Sequence, residues 1–197
     1  MSWPDPVVLE GVHVRLLPLS AVHCVPLAMV VEDGELQRLW YTGVPPPELV
    51  VDLIAQRLEF QRLGQWLPFV VQDRATGRIV GATNYMNIDS THRRVEIGGT
   101  FYARSVQRTA INTECKLLLL MHAFEQLSCI AVEFRTHRFN SQSRAAIERL
   151  GAQLDGMLRN HVRATNGTLR DTAVYSIIES EWPTVKAHLC WQIDKPR

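Results

Sequence analysis

Phe101-Tyr-Ala-Arg-Ser-Val-Gln-Arg-Thr-Ala-Ile-Asn112 runs without a break into Thr113-Glu-Cys-Lys-Leu-Leu-Leu-Leu-Met-His-Ala-Phe-Glu-Gln126. The residues that lead into it, Val95-Glu-Ile-Gly-Gly-Thr-Phe-Tyr102, are largely β-branched, aromatic or apolar and predict a strand. Residues 113–126 lack Gly and Pro and are rich in strong helix formers, so the strand feeds a helix beginning near Ala110 to Asn112. The first turn of a helix leaves N–H groups without intrahelical partners at the positive end of the macrodipole, and Arg104 and Arg108 stand in the approach loop. Such a junction suits an anion, phosphate above all. Many junctions of this kind bind nothing, and a loop arginine is often merely solvated, so the residues alone leave both readings open.

Upstream, Val12 to Leu19 alternates apolar and polar positions and predicts a half-buried strand ended by Pro18 and Ser20. Ser20 then caps a helix over Ala21 to Val31, with Pro26 near its start or kinking it and Glu32-Asp33-Gly34 closing it. Pro45-Pro-Pro47 opens a second helix from Glu48 to Arg62, with apolar residues at 49, 50, 53, 54 and 60. Trp66 to Gln72 and Arg78 to Asn84 form a hairpin around Asp73-Arg-Ala-Thr-Gly77, and Asp89 to Arg94 turns the chain into the strand at 95–102. Downstream come a strand at Ile130 to Thr136, a helix at Ser141 to Leu150 closed by Gly151, and a last hairpin of Gly156 to Val162 and Thr172 to Ile178 around Ala164-Thr-Asn-Gly167. The order β, α, α, β, β, β, α, β, α, β, β predicts an α/β chain with a mixed sheet, mostly antiparallel, in which the long helix is the crossover between two parallel neighbours.

With 197 residues, 46% hydrophobic and 21% charged, the chain is long enough for one well-buried core, and a single domain over 1–197 is expected. A formal net charge of +1 supplies no global field for nucleic acid or an anionic membrane, so neither is expected as a partner. Cys24, Cys115, Cys129 and Cys190 lack metal-ligand or disulfide-framework spacing; no metal site is expected, and a reduced, cytoplasmic setting is. The start Met-Ser-Trp-Pro-Asp-Pro lacks a leader pattern, and no apolar run approaches the ~20 residues that span a bilayer.

From Val95 to Leu150 the chain resembles the acyl-CoA-binding core of the GNAT superfamily of N-acetyltransferases, and within it the Rim-type branch of ribosomal-protein N-terminal acetyltransferases. The family's pyrophosphate loop, Gln/Arg-x-x-Gly-x-Gly/Ala, is matched at Gln107, Ala110 and Asn112, without its glycines. Gly98-Gly-Thr-Phe-Tyr-Ala103 matches the preceding strand end, with Arg104 where Pro is common. Asn140-Ser-Gln-Ser-Arg-Ala-Ala-Ile-Glu-Arg-Leu-Gly-Ala152 matches the second motif, Asn-x-x-Ser-x-x-x-x-x-x-Leu-Gly-Phe/Ala. Val12 to Leu19 and Val174 to Trp182 also look like this branch.

The resemblance implies a fold whose sheet splays at a cofactor cleft, and acetyl transfer from acetyl-CoA to a primary amine by direct attack, the amine being a protein N-terminal α-amine or a small molecule such as an antibiotic. The pantetheine arm would pair with the strand edge at Phe101, Tyr102 and Ala103. Main-chain N–H groups of Gln107, Arg108, Thr109, Ala110, Ile111 and Asn112 would hold the pyrophosphate, in a loop that Arg108 and Ala110 require to keep ordinary φ/ψ. Asn140 would contact pantetheine or cap its helix, and Ser143 would protonate the leaving thiolate, since Ile147 stands where most of the superfamily carries a tyrosine. Glu96, facing away from Val95 and Ile97, is the candidate base through a water, against an ordinary ion pair with Arg94; His137 is the alternative base. Oxyanion donors are expected near Tyr102. His122 reads as a helix-surface residue. Trp40, Tyr41, Tyr85 and Asn87 come from segments that surround the family's acceptor entrance; the alternative for each is core, the preferred reading for Trp40. A homodimer fits the branch, and loss of the glycines and the tyrosine leaves a non-catalytic acyl-CoA sensor or interaction module as the rival reading.

Overall fold

A computed structural model describes residues 3–35, 38–164 and 166–195; Met1, Ser2 and Thr165, on which two of the expectations above touch, lie outside them. The strands are β1 (Leu9–Glu10), β2 (Val14–Pro18), β3 (Leu67–Asp73), β4 (Ile79–Asp89), β5 (Arg94–Tyr102), β6 (Ala131–His137), β7 (Gln153–Arg163) and β8 (Leu169–Ile178). The helices are α1 (Cys24–Gly34), α2 (Val50–Arg62), α3 (Ala110–Met121), α4 (Ser141–Glu148) and α5 (Trp182–Asp194). One eight-stranded sheet has the order β1-β2-β3-β4-β5-β6-β8-β7. Every neighbouring pair is antiparallel except β5 and β6. Parallel neighbours need a long crossover, and α3 supplies it.

Alternation along the central strands explains the two faces. Val95 and Ile97 on β5, Val132 and Phe134 on β6 and Tyr175 and Ile177 on β8 pack with Leu119 and Leu120 of α3 and Leu189 of α5. On the opposite face Val70, Ala82 and Phe101 pack with Leu27, Val30 and Val31 of α1 and Val50 and Ile54 of α2. The N-terminal half of the sheet is therefore covered on both faces by helix.

The two-residue β1 and α5 were not expected from the sequence. β1 is too short for a periodic signal, and α5 buries only Trp182, Val185 and Leu189 while Pro183 sits at its start, so its amphipathic pattern is faint. His122, expected on a helix surface, is buried: α3 widens into a π turn at His122–Gln126, and the imidazole stacks on Tyr85 at 5.8 Å.

A carboxylate fixes α3 against the first strands. Glu114 is buried and accepts the main-chain N–H groups of Val12, His13 and Val14 at 2.8, 2.7 and 2.8 Å. Charge-assisted bonds of this kind are the strong ones, and they demand a residue without a side chain at Gly11, where a Cβ would lie 2.5 Å from Glu114 Cδ. Glu114→Ala is expected to lower unfolding stability by about 3 kcal/mol, from three N–H groups left partly unsatisfied. Gly11→Ala should fall in the same direction, and a urea midpoint unchanged in both would remove Glu114 as the anchor.

Candidate active site

β5 and β6 pair over three residues only, Arg94↔Ala131, Val95↔Val132 and Glu96↔Glu133. Beyond that point β6 continues to His137 along β8 alone, and among the described residues, residues 97–102 of β5 have no strand partner on that side. The divergence coincides with a bulge: the β4–β5 register steps from Asn84↔Gly98 to Ala82↔Phe101, one residue more on β5 than on β4. Gly99 takes φ +57°, and a Cβ there would lie 2.5 Å from Asn84 Nδ2. A Cβ at Gly98 would lie 2.7 Å from Met86 Sδ and 2.8 Å from Glu96 Oε1. Both positions need glycine.

Of the three residues expected to present a strand edge, one does so. Ala103 N–H is bonded to Val80 O at 2.9 Å on β4, and Phe101 is two residues back in the same register. Main-chain direction alternates along a strand, so the Tyr102 N–H and C=O turn to the open side. Its C=O meets Gln107 Nε2 at 3.5 Å.

Past this edge the loop reaches α3. Thr109 is the N-cap, its Oγ1 accepting the Ile111 N–H at 3.3 Å and donating to Val106 O at 2.7 Å. Arg108 does not keep the ordinary φ/ψ expected of it: its φ is +62°. The backbone here takes the left-handed turn a glycine would take, with a non-glycine residue in it, at a cost of roughly 1–2 kcal/mol. The loop turns at Arg108, a position the motif leaves free, and the first turn of α3 from Ala110 onward stands at the mouth of the opening. On the far side, Asn140 caps α4, its Oδ1 accepting the Ser143 N–H at 3.0 Å; its Nδ2 belongs to a different atom's work. Ser143 is half-buried in the first turn of α4, and Ile147 is buried. Arg144 Nε donates to Tyr175 Oη at 2.9 Å, and Tyr175 donates to Glu148 at 2.7 Å, which ties α4 to β8.

The sheet face away from α3 carries the polar groups. Glu96, Glu133, Arg135 and His137 lie on it by alternation and register. Glu96 is buried, and Asn87, held at φ +45°, donates its Nδ2 to Glu96 Oε2 at 2.6 Å. Arg135 Nε is 3.5 Å from the same oxygen. Arg94 pairs with Glu133 at 2.6 Å rather than with Glu96. Burial pushes the Glu96 carboxyl above its usual range, against the opposing charge of Arg135 and the bond from Asn87. Glu133 is desolvated too, yet its hydrogen bonds from Arg94 and Arg135 bring it below the usual range. Two carboxylates on one face are thereby separated in acidity, with Glu96 the more basic. Arg170, which the sequence reading passed over because it lies in a hairpin with no motif, interacts electrostatically with both Glu96 and His137.

His137 is buried, and desolvation with the charge of Arg170 lowers its pKa. Its Nδ1 accepts the Phe139 N–H at 3.0 Å. The neutral ring then carries its proton on Nε2, which leaves no lone pair for an amine proton. What His137 does is pack: Trp40, Tyr41 and Phe139 surround it at ring distances of 5.0, 6.0 and 5.8 Å. Trp40 is 54% exposed, so it is not core. Trp40, His137 and Phe139 wall a cavity of about 320 Å³ that Arg138, and Arg159 and Asp171 of the β7–β8 hairpin, line on its other side. Tyr85 does not reach it. Its ring is fully buried against Phe69 and His122 under α3, with Oη donating to Leu119 O at 2.5 Å.

Beneath the open stretch of β5, the buried Lys116 of α3 donates to Thr100 Oγ1 at 2.9 Å, and Thr100 meets Thr83 at 2.8 Å. Burial lowers the Lys116 pKa to about 8. The folded chain therefore sheds this proton before the unfolded chain does, and stability rises as pH climbs from about 8 to the ordinary lysine value. Below that window the penalty for the buried ammonium is present in full. Lys116→Met is expected to gain up to about 3 kcal/mol at pH 7, an advantage that shrinks to nothing above pH ~10.5. Denaturation at the two pH values checks it; a pH-independent difference would mean that Lys116 is not strained by burial.

Among known proteins, the model of the acetyltransferase (GNAT) domain matches residues 13–153. The chain is 31% identical over 106 residues to the Bacillus subtilis (strain 168) protein named "Putative ribosomal N-acetyltransferase YdaF", an alignment that covers 54% of this chain and 57% of that one, so the chain spans little more than half the length of this curated relative. A GCN5-related N-acetyltransferase from Brucella melitensis is 31% identical, with 95% of this chain and 86% of that chain covered and a TM-score of 0.83. Mycobacterium smegmatis RimJ, solved in complex with CoA-disulfide, shares the fold at 22% identity, with 97% and 96% covered and a TM-score of 0.77. Splayed sheet, loop and matching domain model agree, and the chain belongs to the GNAT family of acetyltransferases.

Proposed function

We propose that this chain transfers the acetyl group of acetyl-CoA directly to a primary amine, and that the amine is a protein N-terminal α-amine. The observation that carries the reading is the unpaired edge of β5, which runs between Glu96 and the N-terminus of α3, with the cavity beside Trp40 and His137 at the far end of β6. Acetyl-CoA fits the residues present: Tyr102 offers main-chain groups to an extended amide arm, the first turn of α3 around Ala110 and Asn112 offers N–H groups to a diphosphate, although the Gln107 N–H is turned to Arg104 O and the Ile111 N–H to Thr109 Oγ1, and Asn140 Nδ2 stands at the start of α4. When bound it supplies a thioester carbonyl open to attack.

The protein's own residues do the rest. An amine arrives protonated near neutral pH and must lose a proton to attack. Glu96, through a water, accepts it; burial makes its carboxylate a better base than an exposed one. Asn87 and Arg135 hold the carboxylate in place. The Ser143 hydroxyl gives a proton to the departing sulfur, a thiolate stable enough, with a pKa near ~8.5, that a weak acid suffices. Trp40, Tyr41 and Asn87 remain on the acceptor side. The α-amine is preferred over a small molecule because the approach is an open cavity walled by rings and guanidinium groups, suited to several residues of a chain, and because YdaF is named a ribosomal N-acetyltransferase.

Incubation with acetyl-CoA and a panel of peptides differing in their first residues, read by mass spectrometry beside a panel of small amines, tests the reading; acetylation confined to the small amines would overturn the acceptor. Activity is expected to rise with pH through the raised pKa of Glu96, because the base must be ionised. Glu96→Gln should lose this limb and about 10²–10³-fold in kcat while keeping acetyl-CoA affinity. Retained turnover in that variant would remove Glu96 as the base.

A further inference from the structure

Three buried side-chain polar atoms without a protein partner gather at one place. They are Arg57 Nε, Arg57 Nη1 and Asn84 Oδ1. Arg57 is 5% exposed, comes from α2, and lies over the Phe101 ring at 5.4 Å; its Nη2 donates to Gly99 O at 3.0 Å. Asn84 is fully buried on β4 and donates Nδ2 to Gly98 O at 2.8 Å. Two consecutive carbonyls of the β5 bulge are thus each held by a buried side chain from a different element. Burial costs the guanidinium dearly enough to lower its pKa to about 10. Packing alone would be served better by apolar residues of similar volume.

The geometry follows from the peptide bond. It is planar and trans, so a C=O and the N–H of the next residue point in opposite directions. Asn84 draws the Gly98 carbonyl toward β4, and the Gly99 N–H is thereby turned the other way, toward the edge that β6 has left open. Arg57 fixes the next peptide plane by its own carbonyl and keeps the left-handed turn at Gly99 from relaxing. We propose that Arg57 and Asn84 are positioning residues that hold the Gly98–Gly99 bulge by its carbonyls and so aim the Gly99 N–H at the thioester oxygen of acetyl-CoA. The inference rests on the acetyl-CoA reading above. It moves the donor from the strand end near Tyr102 to the bulge, and leaves Tyr102 to the pantetheine arm. A preorganised N–H at that oxygen stabilises the negative charge that develops there without reorganising during the reaction.

A hydrogen bond to a carbonyl lowers its stretching frequency, so infrared difference spectra of bound acetyl-CoA carrying carbon-13 at the carbonyl report the contact without turnover. The wild type should show a red-shifted band. Asn84→Ala and Arg57→Met should each lose more than about half of that shift while binding acetyl-CoA within about threefold of wild type, with kcat reduced and the KM for acetyl-CoA little changed. Arg57→Lys, which retains a donor on a shorter reach and a milder change to the fold, should give an intermediate shift. Thermal melts identify any variant that fails to fold, and Arg57→Lys then carries the test. A wild-type band without a red shift, or a shift unchanged in the folded variants, overturns the inference and leaves the acetyl-CoA reading standing. No acetyl-CoA binding by the wild type overturns both.

Discussion

The extra residue that Gly98 and Gly99 place in β5 is the constraint on which the rest depends. A regular β5 would continue its parallel ladder with β6 and close the sheet; instead the pairing ends at Glu96↔Glu133, and the two strands part. Everything the site uses lies along that parting. The main chain of Tyr102 faces into it, the N-terminus of α3 stands at one end, α4 stands across it, and Glu96 is the last residue of the paired segment. The bulge survives because the neighbours leave no room for a Cβ and because Asn84 and Arg57 take the two carbonyls. A backbone conformation this specific is kept only where the surroundings over-determine it.

Electrostatics divides the two faces of the opening. Toward α3 and α5 the sheet is apolar, while the other face carries alternating acids and guanidinium groups in ionic contact: Arg94 with Glu133, Glu133 with Arg135, Arg135 with Glu96. The arrangement gives each acid a different environment. Glu133 has two guanidinium groups and stays ionised; Glu96 has a distant share of one of them and an amide, and burial makes it the basic member of the pair. On the proposed reading, proton uptake from an incoming amine falls to a group whose affinity for the proton is raised by the fold itself.

The elements that decide the fold were legible because their signals are local. The Gly- and Pro-free run after Asn112, the Asp73 to Gly77 turn and the Asn140 cap each follow from residue type, and the helix, hairpin and cap stand where those residues put them. The alternation that sends Glu96 away from Val95 and Ile97 was legible for the same reason. Long-range facts were not. Nothing local to Glu114 says that three N–H groups a hundred residues earlier will meet it, and nothing local to Trp40 distinguishes a core ring from one that joins His137 and Phe139. Tyr85 looked equally able to face the acceptor, and tertiary packing decided against it. At Arg108 the residue type pointed to ordinary φ, but the loop's ends, fixed by β5 and by the Thr109 cap, impose the left-handed turn. Arg57 and Asn84 carry no motif at all.

The central claim is that a loop stripped of its glycines still presents N–H groups to a diphosphate, from the first turn of the helix that Thr109 caps. A calorimetric titration of the protein with acetyl-CoA, repeated with CoA that lacks the 3'-phosphate, tests this most directly. One-site binding to both ligands, weakened only modestly by loss of the 3'-phosphate, is the predicted result. No heat of binding with either at millimolar concentration would contradict the account, and the chain would then be a member of the family that has kept the fold and given up its cofactor.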